Sequence, residues 1–331
     1  MEVGQQYNNR SFKVLLVGSG QLGSRHLQGL LKCAYVSEVY VVDAWEKSLE
    51  LARQRSQELV HDKLIHYSKD CENIPQNIDV CIIAGTANVR LSQLRQVLEK
   101  CSVRYLILEK ILYNSLQDYV EADTLIGRHV NMKTWVNHPR RMYRFYSAVR
   151  GVVESCHGLM NVNVSGGNWG LACNGLHFID LWCYLRDTDV ESVDFMNSSV
   201  ALIPSKRNDF IEFMGGSLIV FRNGDIMDLH SSDTEFNGMN IKFGNANCSF
   251  EIIEREELTC KDVLREGIIV SGAPQFQSDL TNEIVNDLFE KSFSSLTPYS
   301  TAQRSHRLFI ESALELYNRE SGQTFNYIPI T

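Results

Sequence analysis

Residues 14–26 of the chain read VLLVGSGQLGSRH, an apolar run that ends in a loop with three glycines. The glycines are Gly18, Gly20 and Gly23. The apolar run predicts a buried strand, and the residues after it predict a helix. Such a loop has two interpretations: a turn that needs glycine for its own conformation, or a surface where a phosphate touches the backbone. The rest of the chain decides between them.

The first third of the chain alternates short apolar runs with amphipathic segments. Runs such as VYVV, VCII and YLIL are apolar throughout, which is typical of parallel strands covered by helices on both faces. The alternation predicts a doubly wound parallel sheet with right-handed crossovers. The predicted strands are Phe12–Val17, Glu38–Asp43, Val80–Ala84 and Tyr105–Leu108, and the predicted helices are Gln21–Lys32, Trp45–Leu59 and Leu91–Lys100.

The pattern changes after about Val136. Strand-like segments, among them LMNVNVSG, SVDFMNSSVALI and CSFEII, then alternate with turn signals such as Asn223-Gly224, which predicts a mostly antiparallel sheet. Helices are predicted at Leu176–Tyr184, Asn282–Phe293 and Thr301–Tyr317. The expected fold class is α/β, with an N-terminal Rossmann domain over residues 1–136 and a C-terminal α+β domain with an open sheet over residues 137–331. The last helices are available to pack back on the first domain.

Composition and charge exclude several classes of protein. The 331 residues allow two domains, each with its own core, and 44% hydrophobic with 22% charged residues is the balance of a globular protein. The net charge of −8 opposes binding to nucleic acid or to anionic membranes. The polar start lacks the apolar core of a signal peptide, and no apolar run approaches the roughly 20 residues of a membrane span. We expect a cytoplasmic protein with neither of those partners.

The cysteines and histidines show no pattern for a disulfide framework or a metal site. The nine cysteines are odd in number and scattered, without a C-x-x-C pair, which suits reduced thiols. His157, His230 and His306 lack the spacing of metal ligands. The sequence therefore predicts no bound metal.

The glycine loop lies where a dinucleotide-binding loop requires it, directly after a strand and before a helix. Gly18 permits the tight turn, Gly20 lets the backbone approach a pyrophosphate, and Gly23 allows the helix to pack closely on the strand. Free N–H groups at the helix start would bind the anion. The predicted cofactor contacts in this loop are Gly18, Ser19, Gly20, Gln21, Leu22 and Gly23.

A carboxylate at the end of the second strand predicts the type of cofactor. Asp43 can accept hydrogen bonds from both ribose hydroxyls of a dinucleotide, whereas it would repel a 2′-phosphate. The next residues are Ala44, Trp45 and Glu46, and none of them is an arginine. The sequence therefore predicts NAD(H) in preference to NADP(H).

Three further stretches resemble motifs of a known family. LILEKILYNS, which contains Glu109 and Lys110 directly after the predicted strand Tyr105–Leu108, is similar to the family's E-K-P. NHPRRMY, which begins at Asn137, resembles N-x-x-R-R, and CNGLHFIDLWCYL, which begins at Cys173, is similar to D-x-G-x-H-x-x-D. With the glycine loop, they stand in the order and spacing of the glucose–fructose oxidoreductase / inositol dehydrogenase family. The resemblance covers essentially the whole chain.

The resemblance implies a Rossmann domain beside an open-faced sheet, and oxidation or reduction at a secondary carbinol of a sugar or cyclitol. It implies that Lys110 touches the reacting hydroxyl, that His177 exchanges its proton, and that Asp180, one helical turn further, orients His177. Further cofactor contacts are expected at Asp43, Thr86, Asn88 and Glu109. The expected substrate contacts are Lys110, Asn137, Arg141, Asn168, Cys173, Asn174 and His177.

Three positions depart from the family pattern. Ile111 replaces the proline of E-K-P, and Leu91 replaces a histidine that is common after the fourth strand. Cys173 stands where an aspartate commonly contacts the substrate, and a thiol is a poor hydrogen-bond partner for a hydroxyl. Either Asn174 or Asn168 substitutes for that aspartate, or the substrate is oriented otherwise.

Several candidate residues also have purely structural interpretations. Lys110 would then be a surface lysine paired with Glu109, and His177 a capping or core histidine satisfied by Asp180. The arginines after Asn137, Arg140 and Arg141, either bind a carboxylate or phosphate of the substrate or brace the two domains. Trp169 either stacks on a sugar or is buried.

The sequence thus predicts an NAD-dependent oxidoreductase that transfers a hydride between nicotinamide and a carbinol or ketone of a sugar or nucleotide-linked sugar, in carbohydrate or surface-polysaccharide biosynthesis. One alternative is a reductase of a non-sugar carbonyl. Another is a nucleotide-binding sensor or structural protein without catalysis. By analogy with the family, we expect a homodimer or homotetramer whose open sheet face also carries apolar residues.

Overall fold

The computed structural model describes residues 11–195, 199–235 and 238–331, which form two sheets with helices around them. The first half of the chain contains the strands β1 (Phe12–Val17), β2 (Val36–Val42), β3 (Leu64–Ser68), β4 (Asn77–Ile83), β5 (Ser102–Glu109) and β6 (Lys133–Asn137), and the helices α1 (Gly23–Lys32), α2 (Glu46–Gln57), α3 (Ala87–Lys100) and α4 (Leu116–Gly127). These strands are parallel and lie in the order β3-β2-β1-β4-β5-β6. The chain therefore reverses its winding between β1 and β4, and ligands of such sheets bind beside this switch point.

A 3₁₀ helix at Pro139–Met142 leads from the first sheet into the second half. That half contains α5 (Arg144–Glu154), β7 (Asn161–Gly167), α6 (Leu171–Arg186), β8 (Val190–Asp194), β9 (Val200–Pro204), β10 (Ile211–Phe221), β11 (Ile226–Ser232), β12 (Met239–Asn245), β13 (Cys248–Glu254), β14 (Leu258–Asp262), β15 (Gly267–Gly272), α7 (Gln277–Lys291), β16 (Thr297–Pro298) and α8 (Tyr299–Ser321). The second sheet has the order β15-β14-β13-β12-β7-β11-β10-β8, and β9 pairs with β10. Its described strand pairs are antiparallel except β7 with β11, so the predicted fold class is confirmed.

The last part of the chain returns to the first sheet. β16 pairs antiparallel with β6, and α7 packs on α1, where a side-chain carbon at Gly29 would lie 2.3 Å from the carbonyl oxygen of Ser278. Ile284, Val285 and Leu288 of α7 join the core on that face of the parallel sheet. A second core is continuous from the α3 side of this sheet to the helix-covered face of the second sheet. The domain boundary after residue 136 stays a prediction.

The uncovered face of the second sheet carries mainly polar side chains on its middle strands, together with the exposed apolar residues Leu218 and Ile226. In the described strands β7, β11 and β12, alternate side chains point away from the core, and those with polar groups include Asn161, Asn163, Asp228, His230 and Lys242. Val162 and Val164 point to the buried side. This alternation is typical of a sheet with one covered face. Among the described helices, none has the length and apolar character needed to cross a membrane.

Several local elements differ from the sequence prediction; helices α3 and α7, for example, begin at Ala87 and Gln277 instead of Leu91 and Asn282. β3 was not predicted because its residues, LIHYS, are exposed or half-buried and form no apolar run. Helix α6 begins at Leu171 instead of Leu176, since it is buried around most of its circumference and shows no amphipathic stripe. Helix α4 was also missed, although Ser115 caps it by accepting a hydrogen bond from the Asp118 amide. In the predicted segment SVDFMNSSVALI, residues 196–198 lie outside the described residues, and the flanking parts form β8 and β9.

Candidate active site

The glycine loop connects β1 to α1 at the switch point of the parallel sheet. Gly18 has φ +86°, a backbone conformation that favours glycine. A side-chain carbon at Gly23 would lie only 1.9 Å from the carbonyl oxygen of Gly18, so the helix start packs directly on the turn. At Gly20 the same carbon would meet nothing within 4 Å. Two of the glycines are thus required by packing, and the third faces open space.

The loop has the properties of an anion site. The backbone N–H groups of Gly20, Gln21 and Leu22 make no hydrogen bond with any residue that the structure describes. The first turn of α1 carries no acidic residue, so the positive end of the helix dipole is not neutralised. Arg55 of α2 holds the loop from outside by donating to the carbonyl oxygen of Gln21 at 2.7 Å and to the hydroxyl of Ser24 at 2.6 Å. A pyrophosphate fits these free donors.

The remaining predicted cofactor residues follow β2 and β4 and lie at the same edge of the sheet. Asp43 accepts hydrogen bonds from the amides of Ser19, at 2.7 Å, and of Trp45, at 2.9 Å. It therefore positions the loop and still has lone pairs for ribose hydroxyls. The half-buried Thr86 and the exposed Asn88 stand at the start of α3, joined by a 2.7 Å hydrogen bond.

Glu109, at the end of β5, is buried in a network and does not pair with Lys110. Its Oε1 lies 2.9 Å from Nε2 of His26 and 2.5 Å from Nδ2 of Asn137. Burial alone would raise the pKa of Glu109, but the hydrogen bonds from these two residues lower it, so the carboxylate is ionised. Asn137 also donates to Gln277, at 3.1 Å. Asn137 is buried and positions Glu109 through this bond, while its Oδ1 has no partner among the described residues, so its contact with substrate stays a prediction.

Lys110 reaches from the first sheet to the first turn of α6. Its Nζ donates to the carbonyl oxygen of Cys173 at 3.0 Å and lies 3.2 Å from the sulfur. The peptide bond that follows Lys110 is cis. The buried Arg90 holds the carbonyl groups of Ile111 and Leu112, the latter at 2.6 Å, so the segment after Lys110 has a fixed course.

His177 lies in the second turn of α6 and is only 9% exposed. Burial lowers its pKa well below the usual value, and the positive charges of Lys110 and Arg140 lower it further. Its Nδ1 is buried without a partner, and its ring stands edge-on to that of His138, with the ring centres 5.6 Å apart. His177 is therefore neutral and adjacent to Lys110.

Asp180 does not orient His177, contrary to expectation. Its carboxylate forms a two-pronged ion pair with Arg141, with both N–O distances 2.9 Å, and accepts a 2.5 Å hydrogen bond from Thr297. Arg140 likewise pairs with Glu254 of β13, at 3.0 and 2.9 Å. Both arginines thus brace the 3₁₀ helix against the second half, and the contact of Arg141 with substrate stays a prediction.

The corner around Cys173 contains a carboxylate that sequence reasoning missed. Oε2 of Glu212, on β10, accepts hydrogen bonds from the amides of Ala172, at 2.9 Å, and Cys173, at 3.3 Å. Burial raises the pKa of Glu212. These hydrogen bonds and the charge of Lys110 act in the opposite direction but do not outweigh burial. Its Oε1 makes no hydrogen bond within the described part of the chain. Glu212 reaches this corner from β10, a strand that is distant in the sequence. The sequence contains no signal of this contact.

The two asparagines expected near the substrate and the neighbouring tryptophan have different surroundings. Asn174 donates to the carbonyl oxygen of Trp169 at 2.7 Å, which leaves its Oδ1 for a ligand. Asn168 is exposed at the turn between β7 and α6, with φ +40°. The indole N–H of Trp169 donates to the carbonyl oxygen of His230 at 2.9 Å, and its ring packs edge-on against Phe178. Trp169 is half-buried and serves the packing of α6.

His138 and His306 were not predicted at the site, yet they lie directly behind His177. Their Nε2 atoms are 2.9 Å apart, and both side chains are buried. His138 directly follows β6 and His306 lies on α8, so their spacing in the sequence gives no sign of their contact. Across residues 11–195, 199–235 and 238–331, no group of three or more histidine, cysteine or carboxylate side chains is arranged to hold a metal ion.

Comparison with known proteins defines the fold. No model of a protein family and no curated protein matches the sequence. Solved structures that match include an oxidoreductase from Agrobacterium radiobacter in complex with NAD+, L-tartaric acid and magnesium, with 14% identity, coverage of 96% of this chain and 98% of that chain, and a TM-score of 0.70. The scyllo-inositol dehydrogenase of Lactobacillus casei with bound NAD(H) and scyllo-inositol has 14% identity, coverage of 95% and 98%, and a TM-score of 0.63.

A regulator shares the same fold. The transcriptional regulator Gal80p of Kluyveromyces lactis matches with 14% identity, coverage of 96% of this chain and 94% of that chain, and a TM-score of 0.70. At these identities the likeness establishes the fold. Inositol dehydrogenases share this fold, as the resemblance of the sequence motifs implies. It does not by itself separate a catalyst from a binding protein.

Proposed function

We propose that the protein is an NAD-dependent oxidoreductase that acts on a secondary carbinol, or the matching ketone, of a sugar or nucleotide-linked sugar. The observation that carries this proposal is the position of Lys110 and His177. A lysine at the end of β5 reaches α6 at Cys173, and a neutral histidine follows one turn later on the same helix. Both groups thus lie at the sheet edge where the free N–H groups of the glycine loop fit a dinucleotide.

When bound, nicotinamide supplies or accepts the hydride. The protein's own residues then have to position the substrate and control the charge at its oxygen. Lys110 and His177 bind the reacting oxygen and exchange its proton. Asp43 binds the ribose hydroxyls, and the absence of an arginine directly after it favours NAD(H) over NADP(H). A substrate rich in hydroxyl groups suits the polar corner formed by Asn174, Asn168 and Glu212.

Glu212 supplies the carboxylate that Cys173 does not. Its free Oε1 lies beside the start of α6, at the corner where the related motif has an aspartate. The two amides that bond Oε2 point the carboxylate toward this corner. A carboxylate accepts hydrogen bonds from sugar hydroxyls, whereas a thiol does so poorly. A role in carbohydrate or surface-polysaccharide biosynthesis and a homo-oligomeric state belong to the same proposal.

The first experiment is a fluorescence titration of the purified protein with NADH and with NADPH, followed by a screen of sugars and nucleotide sugars. We expect tight binding of NADH and weak binding of NADPH. Asp43→Asn is the informative variant, because asparagine retains an acceptor for the Ser19 amide but removes the charge that repels a 2′-phosphate. This variant should narrow the difference between the two cofactors.

Each outcome decides between the candidate functions. No binding of either cofactor would refute the proposal, including the roles of Lys110 and His177. Binding of NADH without turnover of any sugar, or of any non-sugar carbonyl tested beside them, would favour a nucleotide-binding regulator. The fold shared with Gal80p makes that outcome a real alternative.

A further inference from the structure

Residues 328–331, at the end of the described chain, contact both halves of the molecule. They belong to no helix or strand. The side chains of Ile328 and Ile330 are fully buried, and Thr331 is 7% exposed. A buried segment without regular secondary structure is held by its packing and by individual hydrogen bonds, and the partners in those bonds lie beside the proposed site.

The backbone of this segment is bonded to two of those partners. In the loop after β5, the carbonyl oxygen of Asn114 accepts a hydrogen bond from the Ile328 amide at 2.9 Å, and the Asn114 side chain donates to the Ile328 carbonyl at 3.0 Å. On β10, the amide of Ile211 donates to the carbonyl oxygen of Pro329 at 2.8 Å. The next residue on β10 is Glu212, whose carboxylate bonds the start of α6. The segment therefore connects the loop after β5 with the corner around Glu212.

The third partner is the first amide of α3. The N–H group of Ala87 donates to the hydroxyl of Thr331 at 2.9 Å, and both residues are buried. Ala87 lies between Thr86 and Asn88, the two residues of α3 that are expected to contact the cofactor. The Thr331 hydroxyl is thus bonded to the backbone between two proposed cofactor contacts.

The residues at the start of α3 do not supply this acceptor themselves. The first amides of a helix have no partner within the helix. Thr86 is the N-cap residue, but its hydroxyl donates to Oδ1 of Asn88 at 2.7 Å and its side chain caps no amide. An N-cap side chain bonds the amide of the second or third helical residue, whereas Ala87 is the first. Thr331 therefore satisfies a donor that no neighbour in sequence satisfies.

We propose that Thr331 is a positioning residue for the cofactor, which fixes the start of α3 so that Thr86 and Asn88 keep the geometry that binds it. Through residues 328–331, the same contact links this helix to β10 and thus to Glu212. Binding of the cofactor should therefore also steady the corner that is proposed to hold the sugar. The inference rests on the proposed function and adds a residue that does not touch the cofactor.

Two substitutions at one position separate the hydroxyl from the packing of the side chain. Thr331→Val keeps the size and branching but removes the acceptor, whereas Thr331→Ser keeps the hydroxyl. In a fluorescence titration, the NADH dissociation constant should rise about tenfold in Thr331→Val and stay nearly unchanged in Thr331→Ser. Ile252→Val, at a buried residue of β13, is the control and should lower thermal stability without a change in NADH affinity. Equal NADH affinity of Thr331→Val and the wild type would overturn the proposal.

Hydrogen–deuterium exchange measures the contact itself. Without any ligand, the Ala87 amide should exchange faster in Thr331→Val than in the wild type or Thr331→Ser, and equal rates would contradict the proposal. In the wild type, NADH should also slow exchange of the Ile211 amide, and Thr331→Val should lose this effect. An Ile211 amide that does not respond to NADH in the wild type would refute the link to Glu212.

The measurements also distinguish this inference from the proposed function. A wild-type protein that binds no NADH would refute the proposed function, while exchange at Ala87 would still report whether Thr331 holds α3. Tight NADH binding that Thr331→Val retains in full would refute the inference alone.

Discussion

The glycine loop and the row of buried histidines formed by His306, His138 and His177, here called the histidine row, meet at the same edge of the molecule but are built in opposite ways. The loop consists of consecutive residues, and its form follows from what a side-chain carbon would hit at Gly18 and Gly23. The row consists of three side chains from distant parts of the chain, which meet only after folding: His306 and His138 share a hydrogen bond, and His138 and His177 share a ring contact. A site made of backbone is visible in the sequence, whereas a site made of distant side chains is not.

The two regions also differ in their exposure to solvent. The loop leaves donors free at Gly20, Gln21 and Leu22 within the described structure, so these donors are available to a ligand. The three histidines of the row are buried, and His177 is the one at the proposed reaction centre. Changes in the loop should therefore affect cofactor binding, while changes around the row should affect turnover and the response to pH.

The largest effect is expected at Lys110, the residue that faces the row. Lys110→Met removes the ammonium group that we propose binds the reacting oxygen, and kcat should fall about 10²–10⁴-fold with NADH affinity nearly unchanged. Steady-state kinetics and an NADH titration measure both quantities. Lys261→Met, an exposed lysine of β14, is the control and should leave kcat unaltered. Full turnover in Lys110→Met would show that Lys110 has no catalytic role.

The next effect tests the loop. Gly23→Ala places a carbon 1.9 Å from the Gly18 oxygen, which neither backbone can accommodate without a shift. We expect NADH affinity to fall about 100-fold and the protein to be destabilised. Gly151→Ala is the matched control, because a side-chain carbon there meets nothing within 4 Å, and it should stabilise α5 by about 0.5–1 kcal/mol. Equal behaviour of the two variants in binding and thermal unfolding would contradict this account of the loop.

A smaller effect is expected from Glu212, which tests whether a distant side chain replaces a missing motif residue. Glu212→Gln retains an acceptor for the helix amides but removes the charge, so KM for the sugar should rise about tenfold with kcat less affected. The second substitution Cys173→Asp restores a carboxylate to the corner and should recover much of the loss. A double variant no better than Glu212→Gln would show that Glu212 only caps α6.

The smallest effect concerns stability and pH. The folded-state pKa of His138 is about 3, below the ordinary value of about 6.5, so the unfolded chain binds more protons between these limits. The free energy of unfolding should therefore decrease as the pH falls through this range, by about 1.4 kcal/mol per pH unit for this residue. Urea unfolding at pH 7, 6 and 5 measures the slope.

Two variants sharpen the pH measurement. In His138→Gln the free energy of unfolding should depend less on pH, whereas His157→Gln, at an exposed histidine, should leave this dependence unchanged. Since His177 and His306 also have lowered pKa values, part of the dependence should remain in His138→Gln. An identical slope in His138→Gln and the wild type would mean that His138 binds protons equally in the folded and unfolded chains.

Sequence reasoning failed wherever a side chain chose a partner from far along the chain. Asp180 was expected to orient His177 because it is near in sequence, but Arg141 and Thr297 offer it stronger partners. The bond by which Asn137 positions the buried Glu109 was also missed. Such pairings depend on which elements pack together, and residue spacing within one segment does not report that.

The sequence by itself determined the α/β class, the glycine loop and the strand ends at which Asp43 and Lys110 stand. These features depend on local periodicity and on backbone sterics, which are properties of consecutive residues. Only the tertiary structure decided that Glu212 lies at Cys173 and that His138 and His306 stand behind His177. The reason is physical: a buried polar atom takes whichever partner the packing brings within about 3 Å, and packing is a property of the whole chain.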